Sequence, residues 1–239
     1  MSKAAGLWVY LSASPLLWLT LTLAAYAVAD AIARAFKRHP LANQVLVAVA
    51  LVIAALEVSK TPFETYFEGA QFVHFLLGPA TVALAVPLVE NWERVRRSVV
   101  PILIALVAGS LTAIVTAVGT TALIGAPRPI LASIAEKSVT TPIAMGIAEK
   151  IGGIPSLTAV LVILTGVLGA IIVTPLMDAL RIRDYAARGF AAGVASHGIG
   201  TARAFQVNDL AGTFSGLAMG LNGILTAVLV PLLAGLFGA

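Results

Sequence analysis

The chain has 239 residues, of which 59% are hydrophobic and 11% are charged, with a net charge of +4 at neutral pH. A soluble domain has about a quarter of its residues charged, whereas here the charges form short clusters between apolar runs long enough for helical membrane crossings. This pattern predicts an all-α polytopic membrane protein and argues against a hydrophobic β-sandwich or a nucleic-acid-binding protein. The absence of cysteine excludes disulfides, thiolate metal sites and cysteine nucleophiles.

About seven to eight membrane segments are predicted, some of them broken or re-entrant, within a single membrane domain over residues 1–239. Trp8, Tyr10 and Trp18 are expected to anchor the first segment at the membrane interface, and no small-residue cleavage site follows that segment. The predicted spans cover residues 7–31, 41–58, a stretch that follows the polar residues 59–71 and ends near 88, then 99–124, 155–177, a span from 190 that becomes polar at 196–206, and 210–237.

The stretch "SVTTPIAMGIAEKIGG" (138–153) is too short and too polar for an ordinary crossing. Arginine clusters lie at 34–38, 94–97 and 181–188, and all three face the cytoplasm only if this stretch does not cross. The charge distribution therefore favours a re-entrant or half-helical segment. The alternative is a crossing, which leaves the last cluster outside.

Two pairs of segments suggest an internal repeat with halves at about 41–124 and 130–239. "LLGPATVALAVPL" (76–88) resembles "LTGVLGAIIVTPL" (164–176), and "KTPFETYFEG" (60–69) can be set beside "TTPIAMGIAEKIGG" (140–153). Chance similarity in alanine-rich membrane sequence is the alternative. A true repeat matters because paired interrupted segments mark substrate sites in transporters.

Thr141-Pro142 has the features of a helix start, with threonine as the N-cap and proline in the first turn. Such a start in a membrane offers N–H groups, hydroxyls and a nearby ammonium to an anion. The donors expected here come from Lys137, Ser138, Thr140, Thr141 and the first turn at Pro142. Thr61-Pro62, which follows Lys60, repeats the pattern. The alternative in both places is an ordinary interfacial helix start with a snorkelling lysine.

The stretch "ASHGIGTARAFQVND" (195–209) interrupts an apolar run with ionisable groups, which inside a membrane suggest function. Arg203 is suited to a bidentate contact with a carboxylate, and His197 to a hydrogen bond or to proton transfer. Gly198 allows close backbone approach, and Thr201 lies on the same stretch. The alternative places Arg203 at the interface and pairs His197 with a neighbouring helix.

Other polar groups give weaker indications of a functional site. Glu64 and Glu68 are one helical turn apart and, with His74, are candidates for proton or cation coupling, or they solvate a helix end. Asn222, between two glycines, predicts either a helix break facing a cavity or a hydrogen bond between helices. Metalloprotease, serine-hydrolase and nucleotide-binding motifs are missing, and the three histidines have no ligand-type spacing, so we expect no enzyme activity, no cofactor and no metal.

Taken together, "KSVTTPIAMGIAEKIGGIPSLTAV" (137–160), "ASHGIGTARA" (195–204) and "TPFETYFEGAQFVHFLLGPATVALAVPL" (61–88) resemble the LrgB/CidB family of bacterial membrane proteins. The resemblance extends from about residue 40 to the end. It implies one of two functions. One is a holin-like or antiholin-like modulation of murein hydrolases and lysis; the other, from the related plastid glycolate/glycerate translocator and bacterial pyruvate-uptake pairs, is transport of small monocarboxylates. It also implies an LrgA-type membrane partner.

The helix starts and buried ionisable groups favour the second function, because a carboxylate must exchange its hydration for fixed donors. We expect a secondary transporter of glycolate, glycerate, lactate or pyruvate in the bacterial inner membrane, working by alternating access with possible proton coupling. The alternative is a holin-like pore or lysis regulator. The expected partners are the substrate, the lipid bilayer, an LrgA-type protein and further copies of the chain, with no nucleic acid.

Overall fold

The structure is a computed structural model that describes residues 14–236, so Trp8 and Tyr10 lie outside the described residues. Within that range the elements are helices with no strand, which confirms the all-α prediction. The helices are α1 Pro15–Ala35, α2 Gln44–Ser59, α3 Phe63–Phe75, α4 Leu77–Ala83, α5 Ala85–Glu90, α6 Trp92–Arg97, α7 Val99–Leu123, α8 Arg128–Ile134, α9 Thr141–Ile151, α10 Pro155–Ala179, α11 Tyr185–Val207 and α12 Asp209–Leu233, and a 3-10 turn at Ala234–Leu236 follows.

Five helical stretches within residues 14–236 are long and apolar enough to cross a membrane. Together they make this a membrane protein with several apolar helices, although the expected seven to eight segments are not confirmed. The stretches are Pro15–Ala35, Phe63–Glu90, Val99–Leu123, Pro155–Ala179 and Asp209–Leu233.

The chain divides into two compact units, residues 1–83 and 84–239. In the first unit, α1 packs on α2 and α3. Trp18 is fully buried there, with its ring edge-on to Tyr66 at 6.2 Å. The interfacial role expected for Trp18 is therefore wrong: its ring packs between helices of the unit.

The second unit contains three helices of 25 residues each, α7, α10 and α12. One apolar cluster joins Ile102 of α7 to Phe190 of α11 and Phe214 of α12. Another joins Ile114 of α7 to Val230 of α12. Because both clusters follow α7 and α12 in the same direction, these two helices run parallel.

Between α7 and α10 the chain forms a helical hairpin from α8 and α9, called here the first hairpin (128–151). Leu131 of α8 and Ile147 of α9 lie in the same cluster as Val230, and Ile151 packs at its edge with Leu233. The Ile154 N–H donates to Ser133 Oγ at 2.7 Å, which joins the exit of the hairpin to its first arm. The hairpin therefore leaves and returns at the end of the unit where α7 finishes, as the re-entrant prediction for 138–153 requires.

A second hairpin lies within α11, because the chain reverses at Ser196 (φ −134°, ψ 16°) and His197 (φ 42°, ψ −135°). Gly189 and Val207 line one small pocket, whereas eighteen residues of straight helix would separate them by about 27 Å. A Cβ on Gly200 would lie 2.8 Å from the Ala192 carbonyl oxygen, so the arms are in close contact. The sixth span expected from residue 190 is therefore wrong, because this segment turns back.

The two hairpins start at opposite ends of the second unit. Arg94 lies 3.5 Å from Asp184, which places the start of the second hairpin near the beginning of α7. The arginine clusters at 94–97 and 181–188 consequently share one end, called here the arginine end. Helix α7 followed by the first hairpin (128–151) therefore runs in the opposite direction to α10 followed by the second hairpin (185–207). The predicted repeat between halves 41–124 and 130–239 is not confirmed.

Candidate functional site

The turns of the two hairpins meet at the middle of the second unit. Ser110, Gly166 and Asn222 are the twelfth, twelfth and fourteenth residues of α7, α10 and α12. All three contact the hairpin turns or the residues that hold them, as described below. In a helix long enough to cross a membrane, such central positions lie farthest from water. The polar groups gathered here therefore form the candidate site.

Asn222 ties the hairpins together, and its side chain is 1% exposed. Its Nδ2 donates to the Ser138 carbonyl at 3.3 Å and to the Val194 carbonyl at 3.1 Å, so one amide bonds to both turns. Its Oδ1 accepts from the Ser110 and Thr226 hydroxyls. Of the two alternatives predicted for Asn222, the helix break is wrong, since α12 continues through it, and the hydrogen bond between helices is confirmed. Every donor and acceptor of the amide is used by protein groups, so Asn222 positions the turns.

His197 occupies the second turn and is 4% exposed. Its Nε2–H donates to the Val162 carbonyl of α10 at 2.9 Å. Gly166 makes room for the ring, because a Cβ there would lie 2.6 Å from Nε2. A φ of 42° is unfavourable for any residue with a Cβ and costs of the order of 1–3 kcal/mol. Such strain is retained where surrounding contacts hold it, and it often marks a functional turn.

Thr201 stabilises this turn from within the second arm. Its hydroxyl donates to the His197 carbonyl at 2.9 Å and lies 2.9 Å from Ser215 Oγ on α12. A hydroxyl has one proton, so Ser215 donates to Thr201. Gly198 completes the turn, where a Cβ would lie 3.8 Å from Met219 Sδ. The predicted pair His197 and Thr201 is thus brought together.

Lys137 and Ser138 belong to the first turn, the connection 135–140. Lys137 Nζ donates to Ser138 Oγ at 3.3 Å, and its ammonium interacts electrostatically with His197. Lys137 is partly buried at this point. Lys137 takes part in no ion pair among residues 14–236. A partly buried cation without a carboxylate partner is suited to an anionic ligand.

The helix start predicted beside these residues is present, one residue earlier than expected. Thr140 is the N-cap, Thr141 begins α9 and Pro142 stands in the first turn. The Thr140 side chain makes no capping hydrogen bond. The Thr140 carbonyl accepts from the Ala144 N–H at 2.9 Å. The Thr140 hydroxyl is therefore not used as a cap for α9.

Arg203 is not brought to the turns. It lies on the returning arm of the second hairpin, where it lines a pocket with Arg188 and Thr174 near the arginine end. Six residues of helix from His197 correspond to about 9 Å. Arg203 Nη1 donates to Gln206 Oε1 at 3.5 Å. A direct contact between Arg203 and a carboxylate stays a prediction.

The remaining candidates belong to the first unit. Thr61 Oγ1 lies 2.8 Å from Ser59 Oγ, and Pro62 is the N-cap of α3. Glu64, Glu68 and His74 are exposed on α3. This exposure agrees with the alternative that these residues solvate a helix end. The roles proposed for the five residues in binding or coupling stay predictions.

Two buried polar residues next to the candidate site were missed by sequence reasoning. Ser110 stands in an apolar run where a single serine is unremarkable. Glu136 is fully buried although it stands beside Lys137 in a pattern typical of a solvated segment. The only available signal for Glu136 was its position one residue before the distinctive stretch from Lys137. No cluster of three metal-ligating side chains occurs in the part of the chain that the structure describes.

These features define a helical membrane protein with two opposed hairpins that meet at a polar centre. The profile of the LrgB-like family matches residues 22–236, and the chain belongs to that family. It is 37% identical over 219 residues to uncharacterized protein YxaC of Bacillus subtilis (strain 168), covering 91% of this chain and 94% of that protein. It is 29% identical over 219 residues to antiholin-like protein LrgB of Bacillus mycoides (strain KBAB4), covering 92% and 95%. No solved structure matches.

Proposed function

We propose that this LrgB-like protein is a secondary transporter of small monocarboxylates. The observation that carries the proposal is Lys137, a partly buried ammonium without an ion-pair partner among the described residues, at the point where the two hairpin turns meet. A small carboxylate there would complete an ion pair, and charged hydrogen bonds are about twice as strong as neutral ones. The hydroxyls of Ser138, Thr140 and Thr141 supply neighbouring donors.

The opposed hairpins support transport rather than static binding. In transporters with inverted repeats, substrate sites lie between interrupted segments near the membrane midplane, and each side opens in turn. Here each hairpin is rooted at a different end of the second unit. Movement of the first hairpin would expose Lys137 to the end where α7 finishes, and movement of the second would expose it to the arginine end. By the positive-inside rule, the arginine clusters support a proposed orientation in which the arginine end faces the cytoplasm and the protein lies in a bacterial inner membrane.

The test is counterflow of labelled glycolate into proteoliposomes that contain the purified protein. Lys137→Met should lower the rate at least about tenfold, because losing a charged hydrogen bond of 1.5–3 kcal/mol lowers affinity by that factor or more. Lys150→Met is the matched control, since Lys150 is exposed at the other end of α9, and it should leave the rate within about twofold. Equal rates in the two variants would contradict the role of Lys137. Release of a trapped neutral dye without saturable uptake would contradict transport.

A second candidate function is antiholin-like regulation of lysis, favoured by the name of relatives such as the Bacillus mycoides protein. The names agree with this candidate and not with transport, so the two need separate assays. If the protein regulates lysis, expression of the unaltered protein and of Lys137→Met should change the murein hydrolase activity of intact cells to the same extent. Transport predicts that any effect on lysis disappears in Lys137→Met.

An LrgA-type partner and a homo-oligomer belong to this proposal. Both are tested by the mass of the complex purified with and without a co-expressed LrgA-type protein, and by counterflow in each preparation. The proposal requires no cofactor, metal or enzyme activity.

A further inference from the structure

Glu136 is the only acidic side chain among the fully buried residues of the described chain, with 0% exposure. It lies in the connection of the first hairpin, next to Lys137. Neither carboxyl oxygen has a hydrogen-bond partner of normal geometry within residues 14–236, and Glu136 is in none of the ion pairs there. A buried carboxylate without partners is unfavourable by several kcal/mol, so such groups take up a proton instead.

The hydroxyls beside Glu136 are already used by other groups. The Thr158 hydroxyl on α10 faces the carboxyl but donates its proton to the Ser133 carbonyl at 3.1 Å. Ser133 Oγ donates to the Pro129 carbonyl at 2.6 Å and accepts from the Ile154 N–H. The packing around Glu136 therefore offers almost nothing that stabilises an anion.

Charged groups do not compensate for this packing. The neighbour of Glu136 in the sequence is Lys137, whose ammonium donates to Ser138 Oγ. The charges of α7 to α10 lie near helix ends. Helix α11 carries Arg188 and Arg203, which line one pocket, and His197, which donates to the Val162 carbonyl. The charges near the helix ends are Arg128, Glu149, Lys150 and Asp178. Burial raises the pKa of the Glu136 carboxyl, and its own backbone N–H and Thr158 offset part of that rise.

We infer that Glu136 is a proton-binding site that couples movement of the first hairpin to a proton. While the hairpin is packed against α10, Glu136 is a neutral acid. When the first hairpin moves away, the carboxyl exchanges its proton with water at the end where α7 finishes, and it must hold a proton before the hairpin repacks. When the second hairpin moves, the proton leaves with the substrate at the arginine end. A proton on Glu136 and a monocarboxylate at Lys137 would cross together as a neutral pair. This inference rests on the proposed transport function.

The first measurement needs no transport. The infrared spectrum of the full-length protein in lipid at neutral pH should contain the C=O stretch of a protonated carboxyl group. Glu136→Gln should remove that band. Glu149→Gln, in which an exposed carboxyl of α9 is changed, should leave it. A band that persists in Glu136→Gln, or its absence from the unaltered protein, would overturn the proton site.

The second measurement separates coupling from transport. In proteoliposomes, Glu136→Gln should keep glycolate counterflow within about threefold of the unaltered protein and lose accumulation driven by a pH gradient, because a glutamine stays neutral and moves no proton. Gradient-driven accumulation that survives in Glu136→Gln would overturn coupling. If the unaltered protein shows no counterflow, the transport function and its coupling both fail, while the infrared band decides the proton site by itself.

Discussion

The two hairpins of the second unit reverse the chain by different means. The first uses a six-residue connection, 135–140, in which no residue has a positive φ. The second turns at Ser196 and His197 and holds His197 at a φ of 42°. The longer connection contains Glu136, Lys137 and Ser138, whereas the shorter turn packs closely against glycines of a neighbouring helix.

This difference predicts different functional roles for the two hairpins. The first connection contains Glu136 and Lys137, neither of which has an ion-pair partner among residues 14–236, so it can take up a proton or an anion without breaking a salt bridge. The polar groups of the second turn are already bonded, His197 to Val162 and Thr201 to both His197 and Ser215. We therefore expect the first turn to bind the substrate and the second turn to keep its internal hydrogen bonds while its hairpin moves as a unit.

The largest expected effect comes from removing the side chain that joins the two hairpins. Asn222→Ala leaves the Ser138 and Val194 carbonyls and the Ser110 hydroxyl without their partner. Each buried polar group left unpaired costs about 1–3 kcal/mol, so the free energy of unfolding should fall by at least about 2 kcal/mol, measured by thermal unfolding in detergent.

Asn91→Ala is the control, since Asn91 makes a single bond from its side chain to the Pro87 carbonyl at the partly buried end of α5. It should lower the free energy of unfolding by less than about 1 kcal/mol. Similar losses in the two variants would show that Asn222 does not tie the hairpins.

A smaller effect is expected where the arms of the second hairpin touch. In Gly200→Ala the new Cβ would lie 2.6 Å from Ser196 Cβ and 2.8 Å from the Ala192 carbonyl oxygen. Overpacking of this kind costs about 1–3 kcal/mol, because backbone must move.

Gly220→Ala on α12 is the matched control, since its Cβ would meet nothing within 4 Å. It should raise the free energy of unfolding by about 0.5–1 kcal/mol, the usual gain of alanine over glycine within a helix. A stabilising Gly200→Ala would mean that the arms are farther apart than the structure has them.

The two hairpins also differ in how far the sequence predicts them. The arginine clusters and Thr141-Pro142 predicted that 138–153 does not cross, because charge and helix starts are local signals. The polar residues and glycines of 195–203 predicted a break in this segment, but no local signal predicted that the chain reverses at His197. The reversal depends on residues distant in the sequence, above all Asn222. Its Nδ2 donates to the Val194 carbonyl, in place of the backbone N–H that a continuous helix would supply.

The site was predictable to a similar extent. Lys137, Ser138 and His197 were named from their chemistry, and the structure brings them together. Arg203 was expected either to contact the carboxylate or to lie at the interface, and the reversal at His197 carries it back towards the arginine end. Glu136 was missed because a neighbouring Glu-Lys pair indicates solvent in most sequences, and burial is a property of the packed hairpin.

The smallest effect concerns the strain of the second turn, and it is a difference between two substitutions at one position. His197→Ala and His197→Gly both remove the ring and its bond to Val162. At φ 42° and ψ −135° only glycine is unstrained, so the glycine variant should be more stable than the alanine variant by about 1 kcal/mol in thermal unfolding. Ala187→Gly on the exposed face of the first arm should show the ordinary order, with glycine less stable by about 1 kcal/mol. An alanine variant more stable than the glycine variant would mean that the turn carries no strain. The contrast between a strained second turn and a relaxed, ionisable first turn would then be lost.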